Sequence, residues 1–353
     1  MTRRRLTVAV GLLLSVALLS WALRDVSVPE LLQHVRRANP WWLAGAAAMS
    51  TCTFVLRAIR WKILLKPAVE DVPFRPRFAA VCIGFMANNL LPLRLGEFAR
   101  AYSLSRIVRV GMSATFASLV VERLFDAIVL IILLLPAVLV PGVQDVGPIT
   151  VRQVLVFGIA LVGTGLVVLG VLVRFPSRFL RFAERWSHRV LPRAGADRVT
   201  GVLTSFIAGL GALRHAHVFA PAIAWSFVIW IWNAFSFFLG FLAFGILRPG
   251  VMGALLLQSV IGFAVSIPSS PGFFGPFEAA ARVALSLYGV DPTHIISFAA
   301  GYHILSFIPV TVIGLWYMHR LGISRDELGH SEEYVEAAVE ERDAAPVESG
   351  AGP

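Results

Sequence analysis

An apolar run that opens near Phe78 stops after about ten residues, at Asn88-Asn89-Leu90-Leu91-Pro92-Leu93-Arg94-Leu95-Gly96-Glu97. A helix that crosses a bilayer needs ~20 consecutive apolar residues, so this run is too short to span. Amides, a proline, an arginine, a glycine and a glutamate at membrane depth are tolerated only when buried in protein or lining a wet cavity. The stretch therefore reads as the polar tip of a re-entrant hairpin over residues 78–109, entered from the cytoplasm. A cytoplasmic loop after a short helix is the alternative.

The surroundings of that stretch make the membrane reading general. Of the 353 residues, 57% are hydrophobic and 15% charged, with mean hydropathy +0.76, values far outside those of soluble domains. The formal charge of +10 joins two unlike parts: residues 326–353 hold nine carboxylates and one arginine, so everything before them carries +18. Apart from Lys62 and Lys66 every basic residue is arginine or histidine, and the arginines cluster at segment ends. That pattern points to anionic membrane lipids as partners rather than nucleic acid. Cys52 and Cys82 sit in apolar runs and imply no disulfide framework.

Taken in order, Arg3-Arg4-Arg5 precede an apolar run from Leu6 to Leu23, read as an uncleaved first span; a signal peptide cut near Ser20 and Ala22 is the alternative. Residues 28–38 predict a short interfacial helix. Trp41-Trp42 open a second span to about Leu56, and Arg57, Arg60, Lys62 and Lys66 are placed at its cytoplasmic end. After the hairpin, a span over 113–140 carries Glu122, Arg123 and Asp126; residues 141–150 are an outward loop and 151–173 a further span. Arg174, Arg178, Arg181, Arg185 and Arg189 alternate with Phe175, Phe179, Phe182 and Trp186 at helical spacing, in a helix opened by Pro176 and ended before Pro192. Two readings stay open there, an amphipathic helix on an anionic inner leaflet or a plain positive-inside loop.

A span over 219–246 follows, and then a second interrupted element. Val251 to Ile267 is apolar but short and breaks at Pro268-Ser269-Ser270-Pro271-Gly272-Phe273-Phe274-Gly275-Pro276-Phe277-Glu278, and Ala279 to Tyr288 is its second half-helix, with Arg282 inside it. The last span, 295–317, contains Tyr302 and His303, read as a packed, hydrogen-bonded pair. The expected fold is thus an all-α polytopic membrane protein of about eight membrane segments, six full spans plus two re-entrant elements. The membrane domain is 1–320, with 321–353 an acidic, disordered cytoplasmic tail. Its halves, 1–140 and 151–320, each hold three spans and one broken element. Odd counts invert one half relative to the other, and Pro92/Gly96 and Pro271/Gly275 echo each other at four-residue spacing. Broken segments at matching positions of two halves point to a transport site at their interface. The N-terminus, the 174–217 loop and the tail are expected inside, and 141–150 and Arg248 outside, the cell membrane.

The candidate substrate-binding residues are Asn88, Asn89, Arg94, Glu97, Glu122, Arg123, Asp126, Ser270, Gly272, Glu278 and Arg282. Half-helix N-termini and the planar fork of Arg94 suit a phosphate, while Asn88 and Asn89 add neutral donors and acceptors. Glu122 and Asp126 share a helical face with only Arg123 beside them, which predicts a local excess of negative charge suited to a cationic group or a proton. A structural ion-pair cluster is the alternative. Arg94, Glu97, Glu122, Arg123, Asp126 and Glu278 are expected to meet in one polar cavity. No catalytic, nucleotide-binding or metal motif appears, so no metal and no cofactor is expected.

Four motifs together resemble a known family. Arg57-Ala58-x-Arg60-Trp61, Asn88-Asn89-x-x-Pro92-x-Arg94-x-Gly96-Glu97, Val121-Glu122-Arg123-x-x-Asp126 and Pro268-Ser269-x-Pro271-Gly272-x-x-Gly275-x-x-Glu278 look like the lysylphosphatidylglycerol synthase transmembrane region, a flippase-like module also related to archaeal proteins of the AglD type. The resemblance covers residues 5–320. It implies an eight-segment bundle that handles or flips a phospholipid or polyprenyl-linked lipid substrate. The full synthase continues into a soluble transferase domain where this sequence has its acidic tail. Lysyl transfer by this chain alone is therefore not expected, and a partner transferase or a scaffold role is the alternative to transport.

Overall fold

The structure is a computed structural model that describes residues 3–66, 69, 71–108, 110–138, 160, 163–164, 167, 171, 174–190, 200, 216–266, 269–335 and 337. The expected outward loop at 141–150, nearly all of the 151–173 span and the tail beyond 337 lie outside the described residues. Among the described residues the regular structure is helical throughout, as the long apolar runs require.

Arg3–Ala22 (α1) is followed by a short helix, Val28–Arg37 (α2), with Pro29 in its first turn. Pro40–Leu65 (α3) starts where the Asn39 side chain accepts from the Trp41 and Trp42 backbone N–H groups. Phe74–Leu90 (α4) and Gly96–Ile107 (α5) form the first hairpin, and Met112–Val138 (α6) is the long helix after it. Pro176–Val190 (α7) is a helix within the bounds its prolines predict, with Phe182 and Trp186 exposed among its arginines. Ala216–Phe244 (α8) leads to the second hairpin, Gly250–Ala264 (α9) and Pro276–Ser286 (α10), and Pro292–Arg320 (α11) closes the bundle. Three described stretches are long and apolar enough to cross a membrane by themselves: Pro40–Leu65, Phe219–Phe244 and Pro292–Arg320. Val10, Leu13 and Val16 on α1 and Val312 and Trp316 on α11 turn apolar side chains outward, the surface that lipid solvates.

Both interrupted elements are helix–turn–helix hairpins whose tips share a proline-led turn. Each tip is a short 3₁₀ turn, Pro92–Arg94 and Pro271–Phe273. The third residue of each turn takes a left-handed conformation, Arg94 at φ +56° and Phe273 at φ +61°. Non-glycine residues adopt this region rarely. Gly96 and Gly275 stand four residues after the respective prolines. The tips touch each other: Arg94 donates to the Ser266 carbonyl at 2.6 Å and lies over the Phe273 ring at 5.8 Å.

Close helix packing inside the first hairpin depends on Gly96. Its N–H donates to Asn88 Oδ1 at 2.8 Å, and a methyl group on its Cα would meet the Gly84 carbonyl and the Asn88 amide. Neither obstacle is a flexible side-chain end, so Gly96→Ala forces α4 and α5 apart. It is expected to cost about 1–3 kcal/mol, the usual range for overpacking. A fall in the thermal midpoint in detergent, with Ala substituted at the open position Gly111 as control, checks this; equal midpoints refute it.

The beginning of the acidic tail differs from the expectation of disorder. Arg325–Gly329 (α12) is capped by Ser324, and Leu328 and Val335 are buried. Tyr102 donates to Glu327 Oε1 at 2.9 Å and its ring stacks on Tyr334. Two aromatic rings and an apolar residue every few positions suffice to dock this segment on α5, a signal that a net-charge argument overlooks.

Candidate functional site

The polar centre is assembled from three helices. On α3, Arg57 and Arg60 are three residues apart and so share a face. On α6, Glu122 and Asp126 share another, with Arg123 beside them, and α5 contributes Arg100. Glu122 is fully buried and receives Arg100 as a two-pronged partner, Nη1 to Oε1 at 2.8 Å and Nη2 to Oε2 at 3.1 Å. Arg60 and Arg123 reach the same carboxylate at 3.2 and 3.0 Å. Asp126 takes Arg60 at 2.5 Å, Arg57 at 3.2 Å and the Trp230 indole N–H at 3.0 Å. Trp61 lies 3.8 Å from the Arg100 guanidinium and sends its own N–H to Ser118. At the rim, Glu97 in the first turn of α5 sits between Arg94 at 3.6 Å and Arg123 at 3.7 Å.

Five guanidinium groups thus face three carboxylates. This corrects the expectation of local negative charge. Counting along α6 alone finds two acids and one arginine, because the other arginines arrive from α3, α5 and the hairpin tip. Arg57 and Arg60, expected at the end of a span, are buried within α3, which runs on to Leu65, to 5% and 0% exposure.

A cavity of about 410 Å³ opens between the hairpins on this network, bordered by Arg57, Arg94, Glu97, Arg123 and Asp126. A second, of about 180 Å³, adjoins it through shared walls at Arg57, Phe85, Trp230 and Phe273. Its polar lining includes Asn89, Asn233, Gln258, Tyr302 and His303, with Asn233 donating to Gln258. The Nε atoms of Arg94 and Arg123 make no hydrogen bond among the described residues although both are buried. Donors on the first cavity's wall outnumber the acceptors.

Of the residues expected to converge, Arg94, Glu97, Arg123 and Asp126 do border one cavity. Glu122 sits behind it, holding the arginines. Glu278 stands apart: it accepts from His303 Nδ1 at 2.8 Å and from the Gly275 N–H at 2.7 Å, and only its partner His303 borders a cavity, the smaller one. Tyr302 and His303 are not a pair; the Tyr302 hydroxyl meets Ser236 on α8 at 2.7 Å. Asn88 is the clamp on Gly96, and Asn89 donates to Thr311 at 2.8 Å while lining the smaller cavity. Ser270 and Gly272 shape the second tip: the Ser270 hydroxyl donates to the Phe274 carbonyl, and Gly272 has φ +70°. Arg282 does not join the site; it donates to carbonyls at the end of α1, Trp21, Ala22 and Arg24. Arg57, Arg60, Arg100, Trp230, Asn233 and Gln258 are site residues absent from the sequence-based candidates. Arg57 and Arg60 carried a signal in their three-residue spacing and in the Arg57-Ala58-x-Arg60-Trp61 motif.

With that geometry in hand, similarity to known proteins is informative. Residues 8–314 match the model of the lysylphosphatidylglycerol synthase TM region. Glycosyltransferase AglD of Haloferax volcanii is 27% identical over 91% of this chain, which spans 55% of AglD's length. A UPF0104 membrane protein of Methanothermobacter thermautotrophicus is 26% identical over 90% of this chain and 97% of its own. A second from the same organism is 26% identical over 81% and 85%. No solved structure matches.

Proposed function

Because the chain belongs to the lysylphosphatidylglycerol synthase transmembrane-region family, and is an integral membrane protein, we propose that it is a lipid translocase that takes a phospholipid or polyprenyl-linked lipid by its phosphate. One observation carries this reading: a cavity between two broken hairpins whose wall holds more guanidinium groups than carboxylates. Guanidinium groups grip phosphate through paired, charge-assisted hydrogen bonds, and a low-dielectric cavity strengthens them. Glu122 and Asp126 hold the arginines in place rather than binding a cation. The smaller cavity's amides and hydroxyls offer neutral partners to the remainder of a headgroup. The two hairpins enter from opposite faces as halves of an inverted repeat, the tips meeting at mid-membrane. The N-terminus, α7 and the tail are cytoplasmic in the plasma membrane, and α7 lies on the anionic inner leaflet.

A second reading draws on AglD's printed description as a glycosyltransferase: the same cavity holds a lipid phosphate while a sugar is transferred, with or without a partner enzyme. Reconstitution in phosphatidylcholine liposomes carrying a chemically quenchable phosphatidylglycerol or polyprenyl-phosphate lipid separates the two. The expected result is movement of the anionic probe between leaflets, faster than a phosphatidylcholine probe. Arg123→Gln, which removes a cation facing the cavity, is expected to slow it roughly tenfold, the effect of one charge-assisted contact. Absence of movement for every anionic probe, with headgroup modification once a sugar donor is added, hands the site to the transferase.

A further inference from the structure

His303 is the one part of the second cavity's lining whose chemistry the anion site leaves unused. Its ring lies between Phe277, with centroids 4.1 Å apart, and Phe274 at 4.7 Å, and it is 5% exposed. Nδ1 is held by Glu278, whose other oxygen receives the Gly275 N–H at the hairpin tip. Nε2 has no hydrogen-bond partner among the described residues, and the ring borders the smaller cavity. Gly275, at φ +98°, packs against the Ser15 carbonyl of α1, so the pair is anchored to a tip with no room to drift.

We propose that the Glu278–His303 pair is a proton-binding site that fills when an anionic headgroup enters the neighbouring arginine-lined cavity. The inference rests on the anion reading of that cavity and adds to it a second ligand, the proton. With the imidazole neutral, the buried pair carries one negative charge, and a phosphate arriving next door opposes it. A proton from cavity water, taken up at Nε2, turns the pair into an internally neutral imidazolium–carboxylate. Nδ1–H remains donated to Glu278, and Gly275 remains donated to the carboxylate. Imidazole is the side chain that exchanges a proton near neutral pH. By linkage, a proton that favours the anion is favoured by it to the same degree. The sign follows: anion affinity rises as pH falls.

The other charged and titratable groups around the pair are few. On α11 the neighbouring Tyr302 turns its hydroxyl to Ser236 of α8. On α10 Arg282, one turn from Glu278, points to the carbonyls ending α1. From α3, Arg57 faces the same cavity and is paired with Asp126 of α6, which borders the larger one. α4 and α9 contribute the uncharged Asn89 and Gln258.

The test titrates short-chain phosphatidylglycerol into the purified full-length protein in detergent by calorimetry. Two buffers of different ionisation heat report protons taken up per ligand bound. Wild type is expected to take up a substantial fraction of one proton and to bind roughly tenfold tighter at about pH 6 than at about pH 8, within the usual span of coupling between two sites. Glu278→Gln and His303→Gln, each able to keep a hydrogen bond across the pair, are expected to retain anion binding and lose both effects. If one variant fails to fold, the other and the wild-type proton count still decide. Binding without proton uptake in wild type overturns the proposal, as does uptake that survives both substitutions. Absence of any binding overturns the anion reading and this inference with it, whereas pH-independent binding removes this inference alone.

Discussion

Glu122→Gln is expected to destabilise the protein by about 3–5 kcal/mol, nearly as much as Glu122→Ala, although the amide fits the same space. Breaking a buried ion pair from one side leaves the partner charge uncompensated in a medium that cannot solvate it, and that penalty dominates. Here the orphaned partners are Arg100, with both prongs on Glu122, and Arg60, which is fully buried. Gln can accept one hydrogen bond from Arg100 but offers no charge to either. Glu97→Gln supplies the contrast. Its carboxylate is at the rim, a fifth exposed, with partners at 3.6 and 3.7 Å, and its loss is expected to cost under about 1 kcal/mol. Thermal midpoints and folded yield in one detergent give the comparison. Equal costs for Glu122 and Glu97 would contradict the burial argument. Replacing Glu122 and Arg100 together by apolar residues of similar volume should recover part of the loss, since an absent pair is less costly than half of one.

The second large effect concerns Arg94. Lipid movement is expected to fall roughly hundredfold in Arg94→Ala and nearly as far in Arg94→Lys, the sum of about two charge-assisted contacts. Arg94 makes three different contacts at once: the Ser266 carbonyl on the opposite hairpin, Glu97 on its own, and the face of Phe273. A planar fork can serve these directions together, whereas an ammonium is a point charge on a flexible stem. The substitution therefore loosens the junction of the two tips and also removes a donor from the cavity. Transport rates in liposomes decide it, with the thermal midpoint measured alongside. A lysine variant that moves lipid at the wild-type rate would sink the argument from the guanidinium's shape.

The sequence by itself determined the elements that depend on neighbours in the chain. Apolar runs of spanning length, prolines and glycines that stop two of them early, and the four-residue Arg/Phe alternation between Pro176 and Pro192 all act within a turn or two of helix. The structure accordingly holds α3, α8, α11, both hairpins and α7 where those signals lie. Even what the two tips have in common is local, a 3₁₀ turn opened by a proline with a glycine four residues after it. The tertiary structure decided what depends on partners far along the chain. Arg60 meets Asp126 sixty-six residues away, and Arg57 meets it across sixty-nine. No local pattern distinguishes an arginine that ends a span from one that enters a buried cluster, because the two differ only in what stands opposite. The sign of the site's charge changed for the same reason. Read along α6 it was negative, and it became positive when α3, α5 and the first tip were folded around it. His303 took Glu278 instead of its neighbour Tyr302 because, on a helix, adjacent residues point apart, while the facing hairpin brings a carboxylate into reach.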